Sequence, residues 1–229
     1  MSSIAERLHK VAERIRQTAV AARRDPAEIA LLAVSKTRDA DDIRAAWEAG
    51  QRRFGENYLQ EALTKIEALR GSDIEWHFIG HIQSNKTRPI AENFAWVHGV
   101  EGLKQARRLN DQRPEGMPPL NICLQVMIDP EESKGGLEPS QAAALLPEIA
   151  RLPRLRLRGL MTLPAPRDEF AAQRLPFRAL RELRDRLATP ELPLDTLSMG
   201  MSDDLEAAIL EGATLVRVGA AIFGPRGYP

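Results

Sequence analysis

A parallel α/β barrel of eight strand–helix units, of the triosephosphate isomerase type and with one additional N-terminal helix, is the fold this sequence predicts. Three observations carry that expectation. Short runs rich in branched apolar residues alternate with longer segments at helical spacing. Eight such short runs can be counted. The chain of 229 residues is long enough for one large core and carries no internal repeat or low-complexity tract. Alternation of this kind implies parallel strands joined by right-handed crossovers, and eight units suggest closure. An open doubly wound sheet is the alternative, because the second and fourth runs are weak.

The elements follow in order. Ile4, Leu8, Val11 and Ile15 recur at helical spacing with charges between them, and Ser3 with Glu6 makes a capping box. Asp25-Pro26 ends that first helix. Strands are expected at 29–35, 52–54, 74–79, 94–98, 120–128, 155–161, 194–198 and 214–218. Helices are expected at 41–49, 56–70, 102–111, 140–150, 168–187 and 203–210, with only a turn or two after Gly80. The segment 113–119, rich in proline and glycine, reads as a loop entering the fifth strand rather than a linker. The whole chain, 1–229, is expected to be one domain. Too few residues follow the eighth strand for a full closing helix, so the N-terminal helix is expected to cover that gap.

Composition narrows the function. Lysine plus arginine and aspartate plus glutamate both total 32, so nothing favours a general attraction to nucleic acid or to an anionic membrane. The first 24 residues hold no long apolar run, and no segment is long enough to span a bilayer. Cys123 stands alone in the apolar run 122–128, where a buried thiol is ordinarily inert and an intrachain disulfide is impossible. Together these points favour the cytoplasm.

In such a barrel the active residues sit where strands end. Those ends are Ser35-Lys36-Thr37, Gly55-Glu56-Asn57, Gly80-His81, Met161-Thr162, the run 198–202, and Arg217-Val218-Gly219. Lys36 is the most informative. Only six of the 32 basic residues are lysine, so a position needing charge alone would have held arginine. A desolvated amine does what arginine does not: its neutral form attacks an aldehyde to give a Schiff base. The competing reading is a lysine reaching from a strand end to solvent. The run Ser198-Met199-Gly200-Met201-Ser202 puts a glycine turn and a serine N-cap before a helix, and Gly219 allows close approach to the backbone after the eighth strand. Loops after strands seven and eight are the usual phosphate site of these barrels. Asp203 and Asp204 would repel an anion if they pointed inward. For Glu56 and Asn57, helix capping competes with ligand contact. His77, His81 and His98 fall at no spacing familiar from metal sites, and Trp76 reads as core.

The segments Ala33-Val34-Ser35-Lys36-Thr37, Phe54-Gly55-Glu56-Asn57, the run 76–86 beginning Trp76-His77-Phe78-Ile79-Gly80-His81, Gly159-Leu160-Met161-Thr162, the run 197–204, and 217–224 occur in this order. Together they resemble the pyridoxal phosphate homeostasis proteins, also called proline synthetase co-transcribed homologues, over nearly the whole chain. The resemblance implies the barrel of the alanine racemase N-terminal domain standing alone, with pyridoxal 5′-phosphate held on Lys36 as an internal aldimine. It implies that Ser202, Gly219 and Ala220 help hold the phosphate, that Gly200 shapes the loop, that Arg217 lies near the pyridine nitrogen or the phosphate, and that Asn57 contacts the ring side. Lys134 resembles a second lysine implicated in cofactor handling. Two departures stand out: many relatives carry a hydroxyl residue at the place of Ala220, and the Gly135-Gly136 pair differs from common family patterns.

The resemblance implies a cofactor-binding and delivery protein, expected to be a monomer, with recipient apoenzymes as partners. An amino-acid racemase is the alternative. Racemization needs acid–base groups on both faces of the α-carbon; Lys36 serves one, while Tyr58 and Tyr228 are the only tyrosines and no second domain is expected. A Schiff-base aldolase using Lys36 without a cofactor is the third reading.

Overall fold

The structure, a computed structural model, describes residues 2–129 and 135–225. Among these residues eight parallel strands close in sequence order into a barrel. The strands are β1 (Ala30–Val34), β2 (Arg53–Glu56), β3 (Glu75–Phe78), β4 (Trp96–Val100), β5 (Leu120–Gln125), β6 (Leu155–Met161), β7 (Thr196–Ser198) and β8 (Leu215–Val218). Closure is made by β1 against β8, with Ala30 opposite Leu215 and Ala33 opposite Val218. That pairing removes the open-sheet alternative. The helices are α1 (Ile4–Ala21), α2 (Ala40–Glu48), α3 (Leu59–Ala68), α4 (Thr87–Asn93), α5 (Leu103–Gln112), α6 (Pro139–Ile149), α7 (Phe170–Leu187), α8 (Leu205–Leu210) and α9 (Ala220–Phe223).

Helix α1 has the expected capping box, Ser3 and Glu6 satisfying each other's backbone N–H groups. Its apolar stripe of Leu8, Val11, Ile15 and Ala19 is buried. Polar tethers fix where it lies: Arg14 pairs with Glu206 of α8 at 2.8 Å, and Arg7 Nε donates to the Ile222 carbonyl of α9 at 2.6 Å. The N-terminal helix therefore covers the place a full helix after β8 would take.

Strand side chains alternate between two environments. Phe54, Phe78, Val97, Ile122, Leu160, Leu197 and Val216 pack with helix residues such as Ile43, Leu109 and Phe177 in the main apolar core. Trp96, Cys123 and Met161 form a separate cluster, and His77, His98, Ser198 and Arg217 are buried as well. His98 of β4 bonds Ser198 of β7 at 2.8 Å. These strands are not neighbours in the sheet, so the bond crosses the inside of the barrel. The lumen is thus polar at its centre, while the layer between strands and helices is apolar.

Three expected boundaries are corrected. Glu56 and Asn57 do not open a helix: Glu56 is the last residue of β2, paired with Phe78, and α3 begins at Leu59 after Tyr58. Ladder pairing to β3 extends the strand beyond its apolar residues. Ser202 is not an N-cap: α8 begins at Leu205 with Asp204 at the cap position, and the Met201 N–H donates to Asp204 Oδ1 at 2.6 Å. The strand expected at 194–198 starts only at Thr196, because Leu194 adopts φ 45°. Among the described residues no helix is long and apolar enough to cross a membrane.

Candidate functional site

The C-terminal ends of parallel barrel strands gather at one mouth, and Lys36 lies there directly after β1. The backbone around it is held from several sides. The Ser35 N–H donates to the Gly55 carbonyl at 3.0 Å, and the Arg38 N–H closes a turn onto the Ser35 carbonyl at 3.1 Å. Lys65 of α3 donates from Nζ to the Ser35 carbonyl at 2.7 Å and to Glu56 Oε1 at 2.8 Å, and it pairs with Glu61. The Ser35 hydroxyl donates to the same Glu56 oxygen at 2.5 Å. On the other side of Lys36, the Thr37 N–H donates to Glu61 Oε1 at 2.6 Å. Thr37 has φ 62°, a conformation costly for a β-branched residue and kept only where surroundings enforce it. Lys36 thus projects from a turn whose two flanking residues are bound to one buried carboxylate–ammonium cluster.

Lys36 is half-buried. It lines a small recess with Val34, Arg38, Gly219, Ala220 and Gly224. Arg38 ties this wall together, donating from Nη2 to the Gly224 carbonyl at 2.6 Å. Helix α9 starts at Ala220, immediately beside the lysine, and the Ile222 and Phe223 N–H groups donate to the Gly219 carbonyl at 2.9 and 3.0 Å. A Cβ on Gly219 would lie 3.2 Å from the Val34 carbonyl oxygen, so that residue's smallness serves the contact with β1 as well as access to the recess.

Arg217 is buried, 4% exposed. Its Nη1 donates to Ser198 Oγ at 2.8 Å and its Nη2 to the Thr162 carbonyl at 2.9 Å. Burial lowers its pKa to about 10, opposed by the charge of Asp204, so it remains a cation at neutral pH. Its backbone N–H donates to the Gly200 carbonyl at 3.0 Å. Gly200 has φ 94°, and a Cβ there would come within 2.5 Å of the Ala208 Cβ; only glycine makes this turn against α8. Ser202 and Asn57 are both half-buried at the same mouth. Asp203 is exposed, while half-buried Asp204 has its pKa raised by desolvation and accepts the Met201 N–H.

The structure therefore brings Lys36, Gly219 and Ala220 into one recess and joins Gly200 to Arg217. Asn57 and Ser202 are half-buried at the same mouth and do not line that recess. Lys134 lies outside the described residues, as does Tyr228. Among the described residues no three His, Cys, Asp or Glu side chains converge as metal ligands. Glu61 and Lys65, which join Glu56 in this cluster, are not among the residues that the sequence singles out. A signal existed: Lys65 is one of the six lysines and falls on the buried face of α3 with Leu59 and Ala62.

A bound pyridoxal phosphate fits these residues. The Lys36 amine, the start of α9 and the Arg217 cation share one mouth. The buried Asn57 Oδ1 has no hydrogen-bond partner among the described residues, as expected of a group kept for a ligand.

Comparison with known proteins bears on the same point. The family model for the alanine racemase N-terminal domain matches residues 7–227. A Pseudomonas aeruginosa protein named pyridoxal phosphate homeostasis protein is 60% identical over 228 residues, covering 100% of this chain and 98% of that one. An Escherichia coli protein of the same name is 49% identical over 231 residues, covering 100% of this chain and 99% of its own. The structure of PipY from Synechococcus elongatus with pyridoxal phosphate bound is 38% identical, with a TM-score of 0.84, covering 97% of this chain and 100% of that one. An alanine racemase from Clostridium difficile, 15% identical with a TM-score of 0.71, shares the fold.

Proposed function

This chain belongs to the alanine racemase N-terminal domain family and, within it, to the pyridoxal phosphate homeostasis proteins, and from that premise we propose that it binds pyridoxal 5′-phosphate covalently through Lys36 to keep the cofactor available yet controlled. The observation that carries this reading is the half-buried Lys36 amine sharing one recess with Gly219 and Ala220. The cofactor brings an aldehyde that condenses with an amine, forming a C=N bond with loss of one water, and a ring that acts as an electron sink. Lys36 supplies the amine, and its turn, bound at Ser35 and Thr37, holds that amine at the recess. Gly219, Ala220 and Ser202 take the phosphate, Gly200 shapes the loop that carries Ser202, and Asn57 meets the ring side. Arg217 faces the ring nitrogen; because it stays cationic, it leaves that nitrogen without a proton. Lys134 takes part in handling the cofactor.

Binding without turnover is part of the same reading. Racemization at an amino-acid α-carbon needs acid–base groups on both faces, and Lys36 supplies one. Tyr58 is 56% exposed beside the start of α3, a poor position for a second. In this reading the chain works as one cytoplasmic, monomeric binding unit that passes the cofactor to recipient apoenzymes and engages neither nucleic acid nor membrane.

Borohydride reduction of cofactor-loaded protein tests the attachment. The label should map to the peptide containing Lys36 and vanish in Lys36→Ala; a label mainly on Lys86 or Lys134 in the wild type overturns the assignment. Turnover is tested by following α-proton exchange of L- and D-amino acids in heavy water. Fast exchange that inverts the α-carbon and is abolished by Lys36→Ala would make the protein a racemase.

A further inference from the structure

Arg217 is one end of a hydrogen-bonded chain that runs down the barrel lumen. Arg217 Nη1 lies 2.8 Å from Ser198 Oγ, and Ser198 Oγ lies 2.8 Å from His98 Nδ1. His98 Nε2 lies 2.9 Å from His77 Nδ1, and His77 Nε2 lies 3.0 Å from Glu75 Oε1. Glu75 is the first residue of β3, so it sits at the opposite mouth from Lys36. Its side chain is 39% exposed, whereas both imidazoles are fully buried. His77 also stacks on Trp96, with ring centroids 5.3 Å apart, which fixes the plane of its ring.

The chemistry of the two ends sets the direction of every bond between them. A guanidinium only donates, and an ionised carboxylate only accepts. His77 Nε2 must therefore carry the proton it gives to Glu75, which leaves Nδ1 of that neutral ring as an acceptor. His98 Nε2 then carries the proton given to His77, and its own Nδ1 accepts from the Ser198 hydroxyl. Ser198 in turn accepts from Arg217. In the reverse direction a bare His77 Nε2 would face a carboxylate, and the Ser198 proton would lose its partner.

The charge states this requires are supported by the surroundings. Desolvation lowers the pKa of His77, against the hydrogen bond and charge of Glu75 and with some repulsion from Arg53, and it lowers that of His98 well below the usual value, with repulsion from His77 and Arg217. Glu75 is held ionised by its hydrogen bond from His77 and by Arg53, against some desolvation.

We propose that Arg217, Ser198, His98, His77 and Glu75 form a one-way donor chain, in which Glu75 at the far mouth of the barrel fixes both imidazole tautomers and, through Ser198, the position of the Arg217 guanidinium. Ser198, His98 and His77 are positioning residues for Arg217. The part of this inference that concerns the cofactor rests on Arg217 facing the ring, as read above; the part that concerns the tautomers does not.

Nitrogen-15 spectra of the histidine side chains in cofactor-free protein near pH 7.5 test the chain directly. His77 and His98 should both appear as neutral rings protonated at Nε2. Glu75→Gln places an amide that can donate as well as accept at a partly exposed position, and it should introduce the Nδ1-protonated form of both rings together. A wild-type ring protonated at Nδ1, a charged ring, or a Glu75→Gln spectrum identical to the wild type overturns the chain. The positioning role is read from cofactor binding. Ser198→Ala should weaken pyridoxal phosphate binding about tenfold and shift the absorption band of the bound cofactor, because a hydrogen bond to a charged group is lost. Ser198→Thr, which keeps the hydroxyl, should restore both. If Ser198→Ala, Ser198→Thr and the wild type bind with equal affinity and equal spectra, Ser198 does not position Arg217. Wild-type protein that takes up no cofactor would instead defeat the cofactor reading, while the spectra still decide the tautomers.

Discussion

Lys65→Met should be among the most damaging single changes to this protein, because it dismantles the support of the Lys36 turn. Lys65 is 5% exposed and Glu56 fully buried. The substitution removes the donor to the Ser35 carbonyl at 2.7 Å, the donor to Glu56 Oε1 at 2.8 Å and the partner of Glu61. Methionine fills similar space, so the cavity penalty is small. What remains is a buried carboxylate without its cation. Breaking a buried pair in this way costs about 3–5 kcal/mol. For a chain of this size each kcal/mol moves the thermal midpoint by about 2–4 °C, so a fall of roughly 6–20 °C is expected. Protonation limits the loss. Burial already raises the pKa of Glu56, opposed chiefly by its bonds from Lys65 and Ser35; without Lys65 it rises further. A carboxyl whose folded-state pKa exceeds its unfolded value contributes stability that is fully present below the unfolded value, near 4.3, and is lost as pH rises through the folded value. The deficit of Lys65→Met should therefore be larger at pH 8 than at pH 5. Urea unfolding of both proteins at the two pH values measures it. A loss under about 1 kcal/mol at pH 8, on the scale of an exposed pair, or a loss equal at both pH values, would refute the argument. Adding Glu56→Gln, which keeps an acceptor for Ser35 without a charge, should recover much of the loss.

Three further expectations follow from the geometry. Ser202→Ala should weaken pyridoxal phosphate about tenfold and unphosphorylated pyridoxal little, whereas Gly219→Val should weaken both, since its side chain would press on the Val34 carbonyl already 3.2 Å from a Cβ; equal losses for both ligands in Ser202→Ala would remove Ser202 from the phosphate. The protein should lose stability as pH falls below about 6.5, because the folded-state pKa values of His77 and His98 are depressed by burial: their contribution is present above the unfolded value and lost on the way down, with a limiting slope of about 1.4 kcal/mol per pH unit for a ring that stays neutral in the folded state. His98→Gln should flatten that fall in urea midpoints, and an unchanged slope would contradict it. Cys123, fully buried with its thiol pushed up to about 12 by desolvation, should resist thiol reagents at pH 8 until the chain unfolds; stoichiometric labelling of folded protein within minutes would refute this.

The alternation of apolar runs and helical segments was enough to determined the order of strands and helices, because each local pattern reports which face of an element avoids water. Lys36 was legible for a related reason: an apolar strand ends immediately before it, and lysine is scarce in a chain that otherwise uses arginine. Gly200 was legible as a turn, since its φ of 94° is one that glycine adopts at little cost. Other features depended on closure of the barrel. His77 and His98 stand 21 positions apart in the chain, and nothing in that spacing indicates that their ring nitrogens lie 2.9 Å apart. Ser198 lies 100 positions beyond His98 and meets it only across the lumen. Glu56 reads locally as a helix opener, and pairing with β3 instead keeps it in a strand where Lys65 can reach it. Sequence by itself determined which residues prefer burial and which carry reactive groups. Tertiary structure decided which buried polar groups neutralise one another, because that depends on distances across a closed sheet rather than on intervals along the chain.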